Sequence, residues 1–184
     1  MRSVLGAILA GGRATRFGSD KALALLDGTT LIDRVAGRLR PQVDALIVVG
    51  RTHVDPPGVP DRPAPDLGPL GGIAGALHHA AAHGYDHVLS VPCDAPALPG
   101  DLRAILDAAG DAAFLDALPV VGWWPVSAAT VIDRLLSDDG SRAVRAFADA
   151  IGAVGCRTGQ PIANVNTPDD LAQLGRSPNA PVPR

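Results

Sequence analysis

Three glycines and three cations lie close together near the start of the chain, in the run LAGGRATRFGSDK at residues 9–21: Gly11, Gly12, Gly18, Arg13, Arg16 and Lys21. Glycines let backbone N–H groups approach a phosphate closely, and the cations add positive charge beside it. The run is not a Walker A loop, because no Ser or Thr follows the lysine, and no G-x-G-x-x-G can be drawn through it. We predict a phosphate-binding loop; an ordinary strand-to-helix turn with surface cations is the alternative.

A carboxylate follows a short apolar run in VPCDAP, residues 91–96. The preceding residues, 87–91, fit a buried strand, which places Asp94 at a carboxyl-terminal sheet edge, where ligands bind in open α/β sheets. Mg²⁺ often binds one or two carboxylates together with substrate phosphates. Asp94 is therefore predicted to bind a metal, with a helix-cap or turn aspartate as the alternative. Cys93 is interpreted as a small buried residue, because no base can be assigned to it.

Residues 66–75 place three glycines, Gly71, Gly72 and Gly75, in a predicted helix. Glycine within a helix costs roughly 1 kcal/mol relative to alanine, so either another backbone or a ligand is expected to pack closely there. Asp66 before the helix has the oxygens to accept hydrogen bonds from a base or a ribose. A loop-surface carboxylate is the alternative.

Two asparagines, Asn164 and Asn166, precede a second strong helix start. Side chains at a helix N-terminus can meet an anion or a polar ligand. A capped helix after a turn explains the following Thr167 and Pro168 but not both asparagines.

Histidines and tryptophans offer weaker signals. His78, His79 and His83 lie at i, i+1 and i+5, so the three do not converge on one helix face, and they are interpreted as solvent-facing. Trp123 and Trp124 are adjacent and point to opposite faces of a strand. One is predicted in the core and the other along a cleft for a flat ligand.

The remaining pattern predicts the elements that position these segments. Apolar runs predict strands at residues 4–9, 45–49 and 87–91, with weaker candidates at 22–26, 112–115, 120–122 and 153–156. Helices are predicted to begin near Thr30, Leu70, Pro99, Ser127, Ser141 and Thr167. Residues 52–69 hold six prolines and are predicted to form an ordered loop without regular structure. The alternation predicts an α/β fold of three layers, with a mostly parallel central sheet and helices on both faces.

Composition bounds the class of protein. The 184 residues suit one domain, predicted over residues 1–175, with 176–184 as a flexible C-terminal tail. Aromatics at 3% and a net charge of −3 without a Lys/Arg run argue against a nucleic-acid surface. No segment approaches the ~20 apolar residues of a membrane span, and the N-terminal apolar run is too short for a signal peptide. Two cysteines without a CxxC indicate a reducing, cytoplasmic setting.

In their order and spacing, these segments resemble the molybdenum cofactor guanylyltransferases, a family of the nucleotidyltransferase superfamily. The resemblance spans residues 4–174 and is carried by LAGGRATRFGSDKAL, GPLGGIAGAL, VPCDAP, PVVGWWP and NVNTPDDL. The first motif alone is typical of the broader superfamily, whereas VPCDAP and NVNTPDDL favour the guanylyl type. The resemblance implies a Rossmann-like nucleotidyltransferase fold. It also implies transfer of GMP from Mg²⁺–GTP to the terminal phosphate of molybdopterin, with release of pyrophosphate. GTP and molybdopterin are the expected partners, together with proteins that mature molybdoenzymes.

The resemblance further implies residue roles. The nucleotide would be held by Leu9, Ala10, Gly11, Gly12, Lys21, Asp66 and Asp94. Asp66 would contact the guanosine part, and Asp94 would bind Mg²⁺. Arg16, Lys21 and the metal would offset the charge of the triphosphate during catalysis. The molybdopterin side would be formed by Asn164, Asn166, Arg142 and Arg145. Two positions depart from the family. Gly50, followed by Arg51, stands where an asparagine that contacts guanine is common, and Leu118 replaces the usual histidine before the PV pair.

Three alternatives stay open. A cytidylyltransferase or another small-molecule nucleotidyltransferase would share the fold and differ in its nucleotide. A non-catalytic nucleotide-binding module for cofactor delivery would be expected to lack Lys21 or Asp94, and both are present. An α/β scaffold without a nucleotide site would show no thermal shift with Mg²⁺–GTP.

Overall fold

The chain folds around a seven-stranded sheet. The computed structural model describes residues 2–11, 20–137, 142–159 and 162–176. The sheet consists of β1 (Val4–Leu9), β4 (Ala45–Val49), β5 (Gly58–Val59), β6 (His87–Pro92), β7 (Ala113–Leu115), β8 (Leu118–Pro125) and β9 (Val154–Cys156). Its strand order is β5-β4-β1-β6-β8-β7-β9. Every neighbouring pair is parallel except those of β8, which runs antiparallel to both β6 and β7. The predicted mostly parallel sheet is confirmed.

Helices cover both faces of the sheet and complete three layers. The six helices of the described chain are α1 (Leu31–Leu39), α2 (Gly68–Ala82), α3 (Leu102–Ala109), α4 (Ala129–Ser137), α5 (Val144–Ala150) and α6 (Pro168–Arg176). Side chains of α1 and α3 pack on one face in a core with Ile8, Val48 and Leu89. Side chains of α2, α4 and α5 pack on the other face in a core with Ala7 and Ile47. The three-layer α/β fold expected from the alternation of elements is therefore present.

Helix starts follow their capping residues. The Thr30 side chain accepts a hydrogen bond from the backbone N–H of Asp33, as the capping pattern predicts, and α1 begins at the next residue. At α6, Thr167 accepts in the same way from the N–H of Asp170. The helix predicted from Pro99 begins only at Leu102. The cap predicted at Ser141 lies outside the described residues.

A small hairpin packs against the segment that precedes α6. It consists of β2 (Leu25–Leu26) and β3 (Thr29–Thr30), paired antiparallel, and it replaces the single strand predicted at residues 22–26. Leu26 of the hairpin packs with Leu31 and with Val165 from the segment before α6. This packing brings residues 162–176 over the part of the chain that follows the Gly-rich run.

Two expectations about the interior are corrected. Trp123 and Trp124 are both fully buried, so neither lines a cleft. They do point to opposite faces: Trp123 stacks on His87 at 4.5 Å between ring centroids, and Trp124 donates a hydrogen bond to Ser90. His78 is not simply solvent-facing, because its Nε2 lies 2.9 Å from the Asp133 carboxylate of α4. The pair links α2 to α4.

Two further findings concern the limits of the chain. In the part that the structure describes, no helix combines the length and the apolar character that crossing a membrane requires. The predicted C-terminal tail, 176–184, lies outside the described residues except for Arg176, where α6 ends. The domain bounds therefore stay a prediction.

Candidate functional site

A cavity of about 920 Å³ opens at the edge of the sheet where the parallel strands end. Its walls come from six segments: Leu9–Gly11 after β1, Asp20–Ala22, Asp61 and Asp66 in the proline-rich loop, the start of α2, Pro92–Asp94 after β6, and Asn164 with Asn166. Leu118 and Val120 of β8 close one side. Small-molecule sites commonly measure about 300–1,000 Å³, so the cavity is large enough for a nucleotide. All four segments singled out in the sequence meet here.

Lys21 and Asp94 form the polar centre of the cavity. Lys21 Nζ lies 2.7 Å from Asp94 Oδ2 and 3.1 Å from Asn166 Oδ1. Both partners of the ion pair are mostly buried, with exposed side-chain fractions of 16% and 19%. Three residues far apart in sequence, which the motifs assigned to nucleotide, metal and acceptor, therefore share one hydrogen-bonded group.

Backbone hydrogen bonds hold Asp94 in place. The N–H of Cys93 donates to the carbonyl of Leu9 at 3.1 Å, which ties the end of β6 to the end of β1. The N–H of Val165 donates to the carbonyl of Asp94 at 2.9 Å. The segment that carries Asn164 and Asn166 is thereby docked against the turn that carries Asp94.

Two acceptor oxygens at this site are buried without a hydrogen-bond partner in the described chain: Asp94 Oδ1 and Asn164 Oδ1. Buried polar atoms are normally satisfied, so such atoms beside a cavity call for a ligand. A carboxylate oxygen of this kind fits a hard divalent cation such as Mg²⁺. The described residues contain no cluster of three or more His, Cys, Asp or Glu side chains with metal-ligand geometry. A cation here would therefore draw most of its ligands from substrate phosphates and water.

The glycines at the cavity mark close approaches of the backbone. A Cβ on Gly50, whose φ is +88°, would lie 2.5 Å from Gly11 Cα. No L side chain fits at this position without moving the end of β1, so the asparagine common in the family cannot be accommodated by this backbone. In α2, a Cβ on Gly75 would lie 2.4 Å from the carbonyl oxygen of Pro60, whereas Gly72 lines the cavity. Close packing of another backbone thus explains Gly75, and space for a ligand explains Gly72.

Asp61 is a cavity residue that the sequence analysis did not single out. Its carboxylate lies against the glycines: a Cβ on Gly11 would come within 2.9 Å of Asp61 Oδ2, and one on Gly50 within 2.9 Å of Oδ1. Burial raises the pKa of the Asp61 carboxyl, and the neighbouring Asp66 raises it further. Asp61 follows the two-residue strand β5, which could not be recognised within a stretch that holds six prolines.

Asp66 also lines the cavity and adopts a left-handed backbone conformation, with φ at +64°. Asp61 and Asp66 therefore present two carboxylates to the same side of the cavity, near the first turn of α2. Carboxylates accept hydrogen bonds from N–H and O–H groups, and they disfavour phosphate. This side suits the base and ribose of a nucleotide, whereas the Lys21 side suits its phosphates.

Arg51 lies beside the cavity and binds Asp20 with both terminal nitrogens, at 2.9 Å to Oδ1 and 2.6 Å to Oδ2. The hydrogen bonds from Arg51 hold the pKa of Asp20 below its usual range. Asp20 Oδ1 also accepts from the N–H of Ala22 and thereby caps the 3₁₀ turn Lys21–Leu23. Neither member of this ion pair was predicted as a site residue.

Cys93 lies close to these charged groups but is unsuited to nucleophilic chemistry. Burial, with the negative charge of Asp94, raises the pKa of its thiol to about 12. A thiol with such a pKa holds almost no thiolate at neutral pH. The interpretation of Cys93 as a small packing residue agrees with this.

Four predicted site residues are not placed in the cavity. Gly12 and Arg16 lie outside the described residues. Arg142 is exposed, and neither it nor Arg145 is among the residues that line the cavity. The Arg145 guanidinium donates to the carbonyl of Asp116 and lies 5.5 Å from the Phe114 ring centroid. Asp116 precedes Leu118, the first residue of β8, by two positions.

Comparison with known proteins gives a consistent result. A family model described as the MobA-like NTP transferase domain matches residues 6–153. The molybdenum cofactor guanylyltransferase of Sinorhizobium fredii is 39% identical over 191 residues, covering 90% of this chain and 88% of that protein. The protein of the same name from Rhodobacter capsulatus is 38% identical over 179 residues, covering 92% and 94%.

Solved structures agree on the fold. The molybdopterin-guanine dinucleotide biosynthesis protein A from Archaeoglobus fulgidus superposes with a TM-score of 0.72, over 92% of this chain and 95% of that one. The two sequences are 22% identical. At that level of identity, the likeness supports the three-layer nucleotidyltransferase fold.

Proposed function

Since the chain belongs to the MobA-like NTP transferase family, as its motifs predicted, we propose that it transfers the GMP unit of GTP to the terminal phosphate of molybdopterin and releases pyrophosphate. The observation that carries this proposal is the hydrogen-bonded Lys21–Asp94–Asn166 group in the wall of a nucleotide-sized cavity. It combines a cation for phosphate, a carboxylate oxygen without a hydrogen-bond partner for a metal, and an amide from the segment expected to meet the acceptor.

The nucleotide would occupy the half of the cavity between β1 and α2. Backbone groups at Leu9, Ala10 and Gly11 would lie along it, and Lys21 would contact its phosphates. Asp61 joins Asp66 as a candidate partner of the guanosine, because it lies against Gly11 and Gly50 and lines the same wall. A carboxylate that accepts two N–H groups suits guanine, which presents adjacent N1–H and N2–H donors. Cytosine presents no such pair.

Asp94 would hold the divalent cation, which we take to be Mg²⁺. The fit rests on its Oδ1, which is buried and has no hydrogen-bond partner among the described residues. When bound, the cation neutralises charge on the triphosphate as it builds up toward pyrophosphate release. Lys21 already lies on the other oxygen of the same carboxylate, so Asp94 would orient this lysine as well as the metal.

The chemistry needs positioning and charge neutralisation rather than a base. An oxygen of the acceptor phosphate forms a bond to the α-phosphorus, while the bond from that phosphorus to the pyrophosphate oxygen breaks. The attacking oxygen is already anionic, so no proton has to be removed. Lys21 and, by prediction, Arg16 would stabilise the charge that shifts to the leaving group. The site accordingly presents no Ser/His/Asp or Cys/His arrangement in the described chain.

The acceptor would enter between the Asp94 turn and the wall formed by Leu118 and Val120. Asn164 and Asn166 face this part of the cavity, and the buried Oδ1 of Asn164 is open to a donor. Arg142 and Arg145 stay predicted contributors to the acceptor side. Contact with proteins that mature molybdoenzymes stays a prediction too.

Thermal unfolding with GTP, CTP, ATP and UTP, each with Mg²⁺, tests the proposal directly. A ligand that binds only the folded state at a hundredfold excess over its Kd adds about 2.7 kcal/mol of stability. We expect a Mg²⁺-dependent shift with GTP that Asp94→Ala weakens, and pyrophosphate release once molybdopterin is added. A shift with CTP in place of GTP would assign a cytidylyltransferase. A shift with GTP but no pyrophosphate would indicate a nucleotide-binding module, and no shift at all would overturn the proposal.

A further inference from the structure

The Gly-rich run leaves the sheet at the end of β1, between two neighbouring strands. In the sheet, β1 lies between β4 and β6. When the chain returns, two consecutive residues contact one neighbour each: Asp20 binds Arg51, which follows β4, and Lys21 binds Asp94, which follows β6. The returning chain is thus held across the end of β1 by one ion pair on each side. We call these two ion pairs the clamp.

The Arg51 side of the clamp has the features of a well-defined ion pair. Both terminal nitrogens of Arg51 bind the two oxygens of Asp20, which is the arrangement that fixes geometry best. The Arg51 side chain is only 20% exposed. Its backbone is anchored too, because the N–H of the preceding Gly50 donates to the carbonyl of Val59 in β5.

The ion pair between Arg51 and Asp20 is linked directly to the turn that begins with Lys21. Asp20 caps the 3₁₀ turn Lys21–Leu23 through the N–H of Ala22, and its carbonyl accepts from the N–H of Leu23. Lys21 is the first residue of this turn. Asp20 is therefore the link between a guanidinium fixed on the sheet and the lysine that reaches Asp94.

We propose that Arg51 is a positioning residue for nucleotide binding: it holds Asp20, and thereby fixes the turn that presents Lys21 to the cavity. The inference rests on the proposed function for the identity of the ligand. Arg51 does not act as a phosphate ligand itself. Its terminal nitrogens are occupied by Asp20, its Nε is buried, and it is not among the residues that line the cavity.

The departure from the family at Gly50 fits this arrangement. Gly50 carries no side chain toward the cavity, and the next residue reaches back to Asp20 instead. The turn after β4 would therefore act on the phosphates of the nucleotide, through Lys21. The carboxylates of Asp61 and Asp66 in the proline-rich loop would contact the base and ribose.

Nucleotide affinity measured by titration calorimetry with Mg²⁺–GTP tests the clamp. We expect Arg51→Gln and Asp20→Asn each to weaken binding about tenfold, in the range found for residues coupled through one polar network. In a Lys21→Ala background, Arg51→Gln should weaken binding no further, because its effect passes through Lys21. A residue with a merely structural role would give additive losses instead.

Arg103→Gln is the matched control. Arg103 is also a partly buried arginine, 29% exposed, and it donates to the carbonyls of Gln42 and Arg2 at the opposite edge of the sheet. We expect this variant to lower Tm and leave nucleotide affinity unchanged. Equal loss of affinity in Arg103→Gln and Arg51→Gln would reduce the clamp to a general effect on folding.

Amide hydrogen exchange tests the clamp without any nucleotide. The N–H groups of Leu23 and Ala24 donate to the carbonyls of Asp20 and Lys21, so they report on the turn itself. In Arg51→Gln they should exchange several-fold faster, with the amides of α3 unchanged. If wild type bound no GTP, the proposed function would fail while this readout still decided the clamp.

Two outcomes would overturn the inference. Tighter binding in Asp20→Asn would mean that Arg51, once released, binds phosphate directly. Unchanged exchange at Leu23 and Ala24 in Arg51→Gln would mean that the ion pair does not hold the turn.

Discussion

The two edges of the sheet carry similar side chains that serve different purposes. At the edge where β1 begins, Asp44 precedes β4 and accepts from the N–H of Val4, and Asp86 precedes β6 and accepts from the N–H of Ser3, both at 2.7 Å. At the edge where β1 ends, Arg51 follows β4 and Asp94 follows β6. In both places the strands that flank β1 carry charged residues that hold the chain next to it.

The difference lies in what remains open. At the first edge the buried Gln42 uses both ends of its amide, donating to the carbonyls of Arg38 and Pro99 and accepting from the N–H of Arg103. At the second edge, Asp94 Oδ1, Asn164 Oδ1 and Arg51 Nε are buried without a partner among the described residues. The other two such atoms belong to the stacked pair His87 and Trp123. The two unpartnered oxygens thus lie beside the cavity at the second edge, where they suit a ligand, whereas the two unpartnered ring nitrogens belong to a stacked pair of rings.

The sharpest way to test this contrast is to exchange matched carboxylates. Asp94→Asn should lower turnover on the order of 10²–10³-fold, because it removes charge from the reacting centre, and it should change Tm little. Asp44→Asn should lower Tm and leave turnover unchanged, because Asp44 serves only the fold. Steady-state kinetics and thermal unfolding on both variants measure the difference. Comparable losses of turnover in the two variants would erase the functional distinction between the edges.

Asp61→Asn should separate binding from stability at the cavity edge. We expect about 10- to 100-fold weaker binding of GTP, the range for a lost charged hydrogen-bond partner. Folding should become more stable at neutral pH. Burial raises the pKa of Asp61 in the folded state, so its favourable contribution to stability is complete below pH 3.8 and is lost as pH rises through the folded-state pKa.

The asparagine variant lacks this titration. The advantage of Asp61→Asn in the free energy of unfolding should therefore grow as pH rises from below 3.8 toward neutrality. Urea unfolding across this window measures it. Loss of stability in the variant at neutral pH would show that the carboxylate serves the fold.

Gln42→Leu probes the other edge. It leaves two carbonyls and one N–H without their buried partner, so we expect a loss of about 1–3 kcal/mol in the free energy of unfolding. Nucleotide affinity should not change. Urea titration measures the free energy of unfolding, and calorimetry on the same sample measures the affinity for GTP. A variant that folds normally but binds GTP poorly would contradict the functional difference between the two edges.

The smallest expected effect concerns Asp20. Hydrogen bonds from Arg51 lower the pKa of Asp20, so its contribution to stability is present above pH 3.8 and is lost as pH falls through the folded-state pKa. Because the Asp20 side chain is 47% exposed, solvent screening keeps this contribution below about 1 kcal/mol. Acid unfolding of wild type should therefore be slightly steeper than that of Asp20→Asn. Identical acid profiles would argue against the ion pair in solution.

Much of the fold could be predicted because local chemistry decides it. The apolar run at 45–49 is buried by its own composition, and Thr30 and Thr167 satisfy the first N–H groups of their helices. The antiparallel direction of β8 relative to β7 could also be predicted. Only two residues separate β7 from β8, and a connection that short cannot return a strand in parallel.

The site was predictable where one residue follows one strand, as Asp94 follows β6. It was not predictable where partners meet across the fold. Nothing local links Arg51 to Asp20, or singles out Asp61 among six prolines, because these contacts depend on which strands become neighbours. The roles of Leu9, Lys21, Asp66 and Asn164 stay predictions for the experiments above.

The contact between Lys21 and Asn166 joins residues 145 positions apart, and the family model that matches the chain ends at residue 153. The floor of the cavity therefore needs a segment from beyond the matched domain. A chain cut after residue 156 would keep the seven strands of the sheet and lose this part of the cavity.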